Sequence, residues 1–410
     1  MVPKGWNTKP LSEIVKEKIS YGIVQAGPHI IDGIPYIKSS DVKGKIDPDT
    51  LQKTSQEIHF KYRRSAVHPG DIVFSLRGNI GASAIVPEDL LEANLTQGTA
   101  RISVSESHCN LFYYYQLASE KLLNIINNLS KGSTFKEIAL EELRKVKVLC
   151  APLPEQNKIA KILSTWDKAI TTTEQLLANS QQQKKALMQQ LLTGQKRLLD
   201  NNGVRFSGDW KQVKLSKIFE RVTTKNNGKS SNVVTISGQH GLIRQEDFFK
   251  KSVASDILDG YFLLTKGQFA YNKSYSNGYP MGAIKRLNRY ADGVVTTLYI
   301  CFEISESTKA NGDFWEHYFE SGLLNKGLSQ IAHEGGRAHG LLNVKPTDFF
   351  SLKVPLPSLD EQQKIAAVLT VADREITILQ QKLAALKQEK QALMQQLLTG
   401  KRRVKVEVAA

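Results

Sequence analysis

Seam positions recur at alternating steps of four and three along two stretches of the chain. In the first they fall at Ile159, Leu163, Trp166, Ile170, Thr173, Leu177, Ser180, Lys184, Leu187 and Leu191. In the second they fall at Ile365, Leu369, Ala372, Ile376, Leu379, Leu383, Leu386, Lys390, Leu393 and Leu397. A 4-3 alternation with mostly apolar members is the heptad pattern of a coiled coil. It predicts two long helices, over 155–200 and 358–400, each about 57 Å long at 1.5 Å per residue. Pro154 and Pro357 precede them, Ser358-Leu359-Asp360-Glu361 reads as a capping box, and Gly194 and Gly400 stand where a helix ends.

The two stretches are copies. EQNKIAKILSTWDKAI at 155–170 returns as EQQKIAAVLTVADREI at 361–376, and ALMQQLLTG at 186–194 returns unchanged at 392–400. Both matches share an offset of 206, so the segments align without a gap. Weaker echoes lie upstream: Trp6 with Leu11-Ser12 matches Trp210 with Leu215-Ser216, and Gly70-Asp71-Ile72-Val73 sits much as Gly267-Gln268-Phe269-Ala270 does. The order is variable module, shared helix, variable module, shared helix.

Each seam finds its natural partner in the other. The pattern leaves parallel and antiparallel pairing open. A compact module between the helices, its termini close together, favours an antiparallel return. Lys184 and Lys390 hold the same seam position in both copies. They either fix register and orientation at a cost in stability, or lead their charges out to water.

Between the helices, short β-rich runs alternate with Gly, Pro, Asn and Asp turns over 1–154 and 201–357. Each module then carries one helical stretch, near 111–127 and 313–332. The expected fold class is α+β: two mixed-sheet modules separated by two long helices that pair as an antiparallel coiled coil, with a pseudo-twofold internal repeat. The last segment, 401–410, is a basic tail that could pair with a strand of the first module.

Charge narrows the partners. The 410 residues carry 55 Lys and Arg against 40 Asp and Glu, a net charge of +15. The excess is +3 over 1–154 and +6 over 204–357, so it belongs to both halves. That distribution suits a protein lying along a polyanionic duplex better than one with a single basic tail. Three scattered cysteines without a CxxC exclude a disulfide framework and a cysteine-rich zinc site. The start lacks an apolar leader and no apolar run approaches membrane length, so a reducing cytoplasm is expected.

Several basic loops carry polar or aromatic neighbours suited to base edges and phosphates. In the first module the candidates for DNA contact are Lys38, Ser39, Arg77, Asn79, Lys131, Ser133, Thr134 and Lys136. In the second they are Gln239, His240, Lys273, Tyr275, Asn277, Tyr279, Arg337 and His339. Each alone reads more readily as a solvated turn; together, in a basic two-module chain, they gain weight. Catalytic patterns are missing. Gly228-Lys229-Ser230 lacks the first glycine of a phosphate loop, Asp32 with Asp41 and Lys43 only loosely resembles a nuclease triplet, and no histidines have ligand spacing. No catalytic residue and no metal ligand is expected.

With these residues in place, the chain resembles the specificity subunits of Type I restriction–modification systems. The carriers are the two copies of P-L-P…E-Q-x-K-I-A-x-x-L, the heptad helices ending LLTG, and the two unlike modules before them. The resemblance covers essentially the whole chain. It implies that each module is a target-recognition domain reading one half of a split double-stranded DNA sequence. It further implies that the helices set the gap and dock two modification (methyltransferase) subunits, with two restriction subunits joining. S-adenosylmethionine, ATP and Mg²⁺ would then belong to the partners. Other readings are a coiled-coil adaptor with two protein-binding modules and incidental charge, a sequence-independent RNA binder, or a stand-alone nuclease. Salt-dependent binding that discriminates among duplex sequences separates the first reading from the others.

Overall fold

The structure is a computed structural model and describes residues 2–132, 136–238, 240–249, 258–334 and 342–406. The chain divides into two units, Met1–Glu174 with Gln381–Ala410, and Gln175–Gln380. Each unit therefore holds one module together with parts of both long helices.

In the first unit a four-stranded antiparallel sheet runs in the order Ser20–Tyr21, Thr99–Ile102, Ile72–Ser75, Ser83–Ile85. The central strand IVFS is buried on both faces, which explains its unbroken apolar run. Ile72 and Phe74 join one core with Phe112, Tyr113 and Leu163, and Val73 joins a second with Ile37, Val67 and Leu95. A smaller mixed sheet pairs Ile34–Ile37 antiparallel with Gln52–Thr54 and parallel with Asn94–Leu95. Asn7–Pro10 pairs with Lys147–Cys150, which returns the end of the module to its beginning.

The second unit repeats this plan. Its four-stranded antiparallel sheet runs Phe219–Val222, Ile300–Ile304, Phe269–Asn272, Ala283–Arg286. Phe269 and Tyr271 face a core rich in aromatics, including Phe302, Trp315 and Phe349, while Ala270 and Cys301 face the other core. Lys211–Lys214 pairs with Lys353–Leu356, as the corresponding strands do in the first unit.

The helical stretch expected near 111–127 and near 313–332 is in each case broken into two helices. Ser119 follows one and caps the next, giving Asn110–Leu117 and Glu120–Leu129. In the second module, Gly312–Glu320 is capped by Asn311 and followed, past the left-handed Gly322, by Asn325–Ile331.

The long helices run Leu153–Leu191 and Leu359–Leu397, 39 residues each. Gly194 and Gly400 follow them with φ of +73° and +66°, the left-handed conformation that ends a helix. Within the first unit, Glu174 bonds Lys387, Asp167 bonds Lys390, and Glu155 bonds Arg403, so one helix descends as the other rises. Within the second, Ser180 meets Glu375, Lys184 meets Asp373, and Arg197 meets Glu361, again antiparallel. Of the seam residues, Leu163, Leu191, Leu369 and Leu397 are fully buried because the module cores sheathe the helix ends. Ile170, Leu177, Ile376 and Leu383 lie outside those cores and are half-buried.

The seam lysines do not lead out to water. Lys184 pairs with Asp373 and Lys390 with Asp167, and neither side chain is more than 21% exposed. Since 373 and 167 differ by the repeat offset, the same contact is made twice with the helices exchanged. The expected capping box is only half present. Ser358 Oγ accepts from Glu361 N at 3.3 Å, but the Glu361 carboxylate turns instead to Arg197 and Trp210. The tail also differs from expectation. No strand forms among its described residues, 401–406; Arg403 reaches Glu155 at 2.7 and 2.8 Å and the carbonyl of Lys4 at 2.7 Å. Among the described residues, no helix is long and apolar enough to cross a membrane.

Candidate nucleic-acid interface

Two kinds of site emerge: a latch that mounts each module on its helix, and a cluster of loops at the module surface.

The latch explains the repeated Glu-Gln. Glu155 accepts from Trp6 Nε1 at 2.9 Å and from the Arg403 fork, and Glu361 accepts from Trp210 Nε1 at 2.9 Å and from the Arg197 fork. Arg197 and Arg403 are again one offset apart, so 195–197 and 401–403 are true counterparts. Burial pushes the Glu155 carboxyl up, but the Arg403 and Trp6 hydrogen bonds more than offset it and hold it below its ordinary range. The adjacent Gln156 accepts from Cys109 N at 2.8 Å, and Gln362 accepts from Asn311 N at 2.9 Å. Each glutamine thereby fastens the start of the module's own helix to the long helix.

In the first module three of the candidate loops converge. The Gly98 carbonyl accepts from Ser39 Oγ at 2.7 Å and from Leu76 N at 2.8 Å, tying the loop of Lys38 and Ser39 to that of Arg77. Arg77 and Lys131 both bridge Glu137 through the backbone, and the Arg77 guanidinium lies 3.0 Å from the Glu137 carboxylate. Lys38 Nζ is held by Gln52 at 3.2 Å. Arg77, Asn79, Lys131 and Lys136 are exposed, while Lys38 and Ser39 are half-buried. Ser133 and Thr134 lie outside the described residues.

In the second module the corresponding loops also meet. Tyr279 Oη donates to the Gly238 carbonyl at 2.9 Å, joining the loop of His240 to the loop of Lys273, Tyr275 and Asn277. Leu342 N donates to the Lys273 carbonyl at 3.0 Å, which brings in the hairpin of His333–Glu334 with Leu342–Asn343. His240, Tyr275 and Asn277 are exposed, Tyr275 to 64%. Lys273 is half-buried, and burial followed by the nearby Arg221 charge lowers its pKa. Gln239, Arg337 and His339 lie outside the described residues.

Tyr279 departs from the expectation of a free DNA contact: its hydroxyl is engaged with Gly238, Lys285 and Glu320. Sequence reasoning missed Glu137, Lys285 and Glu320, which hold the loops but lie 60, 6 and 41 residues from the loop residues they grip. No local pattern marks such pairs. Asp41 is spent on its own turn, accepting from Lys38 N at 2.9 Å, and no group of metal-ligating residues occurs among the described residues. The clusters offer cations, amides and aromatic edges at a surface, which is binding chemistry.

The sequence matches the family described as "Type I restriction modification DNA specificity domain" twice, over residues 3–180 and 207–388. It is 32% identical over 165 residues to the Type I restriction enzyme EcoBI specificity subunit of Escherichia coli, a match spanning 39% of this chain and 35% of that protein. It is 23% identical over 427 residues to the MjaVIII specificity subunit of Methanocaldococcus jannaschii, covering 98% and 94% of the two. The fold is that of the Type I restriction–modification S subunit from M. genitalium, with a TM-score of 0.59, 14% identity, and coverage of 97% and 99%.

Proposed function

The chain belongs to the Type I restriction modification DNA specificity family, and from that membership we propose how its two loop clusters act. It is the DNA specificity subunit of a Type I restriction–modification system. Each cluster reads one half of a split duplex sequence, the first through the loops of Lys38, Arg77 and Lys131, the second through those of His240, Lys273 and Tyr275. The observation that carries this reading is that two unlike loop clusters stand on two like mounts. Like mounts present the clusters in equivalent ways, and unlike loops read different bases. Each half-site needs only a few base pairs, because linked heads bind at high effective concentration.

The long helices set the gap between half-sites and dock two modification subunits, which two restriction subunits join. The chain performs no chemistry itself. S-adenosylmethionine, ATP and Mg²⁺ bind the partners, and the adenine to be methylated is flipped into a partner's pocket. The assembly works in the cytoplasm.

The test is co-expression with a modification subunit and genome-wide mapping of methylated adenines. A split motif with a fixed gap is expected. Co-purification without methylation would mark an inactive subunit, and neither methylation nor a complex would return the adaptor reading.

A further inference from the structure

The second module carries a buried polar cluster that its fold does not require. Lys285 lies within the strand Ala283–Arg286, between Ile284 and Arg286, and is only 8% exposed. Its ammonium contacts Glu320, at the end of the helix Gly312–Glu320, and Tyr279 Oη at 2.8 Å. The same ammonium stands 4.6 Å from the centre of the Tyr279 ring. The Tyr279 hydroxyl has a single proton, which the Gly238 carbonyl at 2.9 Å and the Glu320 carboxylate at 2.5 Å share as acceptors. Beneath the ring there is no spare room: a Cβ added at Gly238 would sit 2.7 Å from Tyr279 Cε2. A lysine held this far from water needs its counter-charge, so the cluster is a unit rather than a set of separate contacts.

What this unit grips is informative. One end is rooted in a strand and a helix of the module frame. The other ends on Gly238 and Tyr279, which belong to two of the loops with exposed polar and aromatic tips. Resting on the DNA-reading function proposed above, we infer that Tyr279, Lys285, Glu320 and Gly238 form a positioning clamp. The clamp sets the distance between the His240 loop and the Tyr275–Asn277 loop, and so sets discrimination at one half-site without touching a base. Base readout depends on donors placed to within a fraction of an ångström, so a loosened clamp costs selectivity before it costs phosphate binding.

The experiment is selection of bound sequences from a pool of randomised duplexes by the full chain in complex with its modification subunits. Wild type, Tyr279→Phe, Gly238→Ala, Lys285→Met and Lys285→Arg are compared, with thermal midpoints alongside. Tyr279→Phe removes the hydroxyl and keeps the ring; Gly238→Ala pushes the loops apart from the opposite side. The expected result is a split motif from wild type. In Tyr279→Phe, Gly238→Ala and Lys285→Met the same half loses discrimination by on the order of tenfold, with the other half and the gap unchanged. Lys285→Arg should recover part of that loss. If wild type selects a split motif and the variants keep both halves, the clamp is overturned and the reading function stands. Equal weakening of both halves, or losses that merely follow the thermal midpoint, would also overturn it. If wild type selects no motif, the reading function fails and the clamp falls with it.

Discussion

The first module fastens its loops with backbone bonds, the Ser39 hydroxyl and one exposed ion pair, whereas the second uses a buried clamp. Arg77 and Glu137 are each close to half exposed, at 45% and 44%, and such pairs contribute roughly 0–1 kcal/mol. Lys285 is 10% exposed at its side chain and has Glu320, Tyr279 and Gly238 drawn around it. Yet the central loops, those of Arg77 and Lys273, leave four-stranded sheets of the same order at corresponding connections. Frame and fastening are therefore separable. The frame places three loops together in either module, and the local chemistry then decides how stiffly they are held. The clamped cluster has the longer central loop, 273–282 against 76–82, which needs more support to hold one shape.

The mounts, which both modules share, should respond most strongly to substitution. Glu361→Ala strips Arg197 and Trp210 of their shared acceptor and should destabilise the second unit by roughly 3 kcal/mol in urea unfolding. Glu155→Ala should cost less, because Arg403 is 45% exposed at its side chain and Arg197 only 18%. Equal losses would show that solvent does not relieve the outer latch. The fastenings come next. Glu320→Ala should cost roughly 2 kcal/mol by stranding Lys285, while Glu137→Ala should change stability by less than about 1 kcal/mol; reversed magnitudes in the same assay would sink the distinction between a stiff and a loose cluster.

Arg77→Ala should cost roughly 1–3 kcal/mol of discrimination, in competition binding, at one half-site alone. Loss shared by both halves would contradict two independent reading heads. The weakest response concerns acid. Where the first module presents Tyr115 to Asp167, the second presents His317 to Asp373, with ring nitrogens 3.7 Å from the carboxylate and 3.3 Å from Thr370 Oγ1. Burial is the main cause that lowers the His317 pKa from 6.5, with the Asp373 charge opposing it and Lys184 reinforcing it. The unfolded chain therefore binds the proton more readily, and stability should fall as pH drops below about 6.5. His317→Gln should flatten that part of the pH profile, by less than about 1 kcal/mol; an unchanged slope would assign it elsewhere.

The seam is legible in the sequence because five heptads place ten seam positions in each helix, and the duplication doubles the pattern. The loops are legible as candidates because turns rich in Gly, Lys and Asn stand out locally. What grips them is not. Glu137 and Glu320 are ordinary surface letters in the sequence, and their partners arrive only through sheet order. Tyr279 shows the same limit: the basic loop marks the residue, but not that its hydroxyl meets Gly238, Lys285 and Glu320. In the tail the informative residue is Arg403, whose counterpart Arg197 stands at the repeat offset. Residues matched across a repeat can share a role even where their neighbours differ.

The exchanged lysine–aspartate contacts bear on how such chains evolve. All four residues lie inside the duplicated stretch, so a recombination event that imports a foreign module leaves this pairing chemistry intact. Interchange is not wholly free, however. Each aspartate also receives one group from the module beside it, Tyr115 in one case and His317 in the other. An incoming module therefore meets this position as well as the glutamate and glutamine latches, where Trp6 or Trp210 and the backbone N–H of Cys109 or Asn311 are the module's contributions.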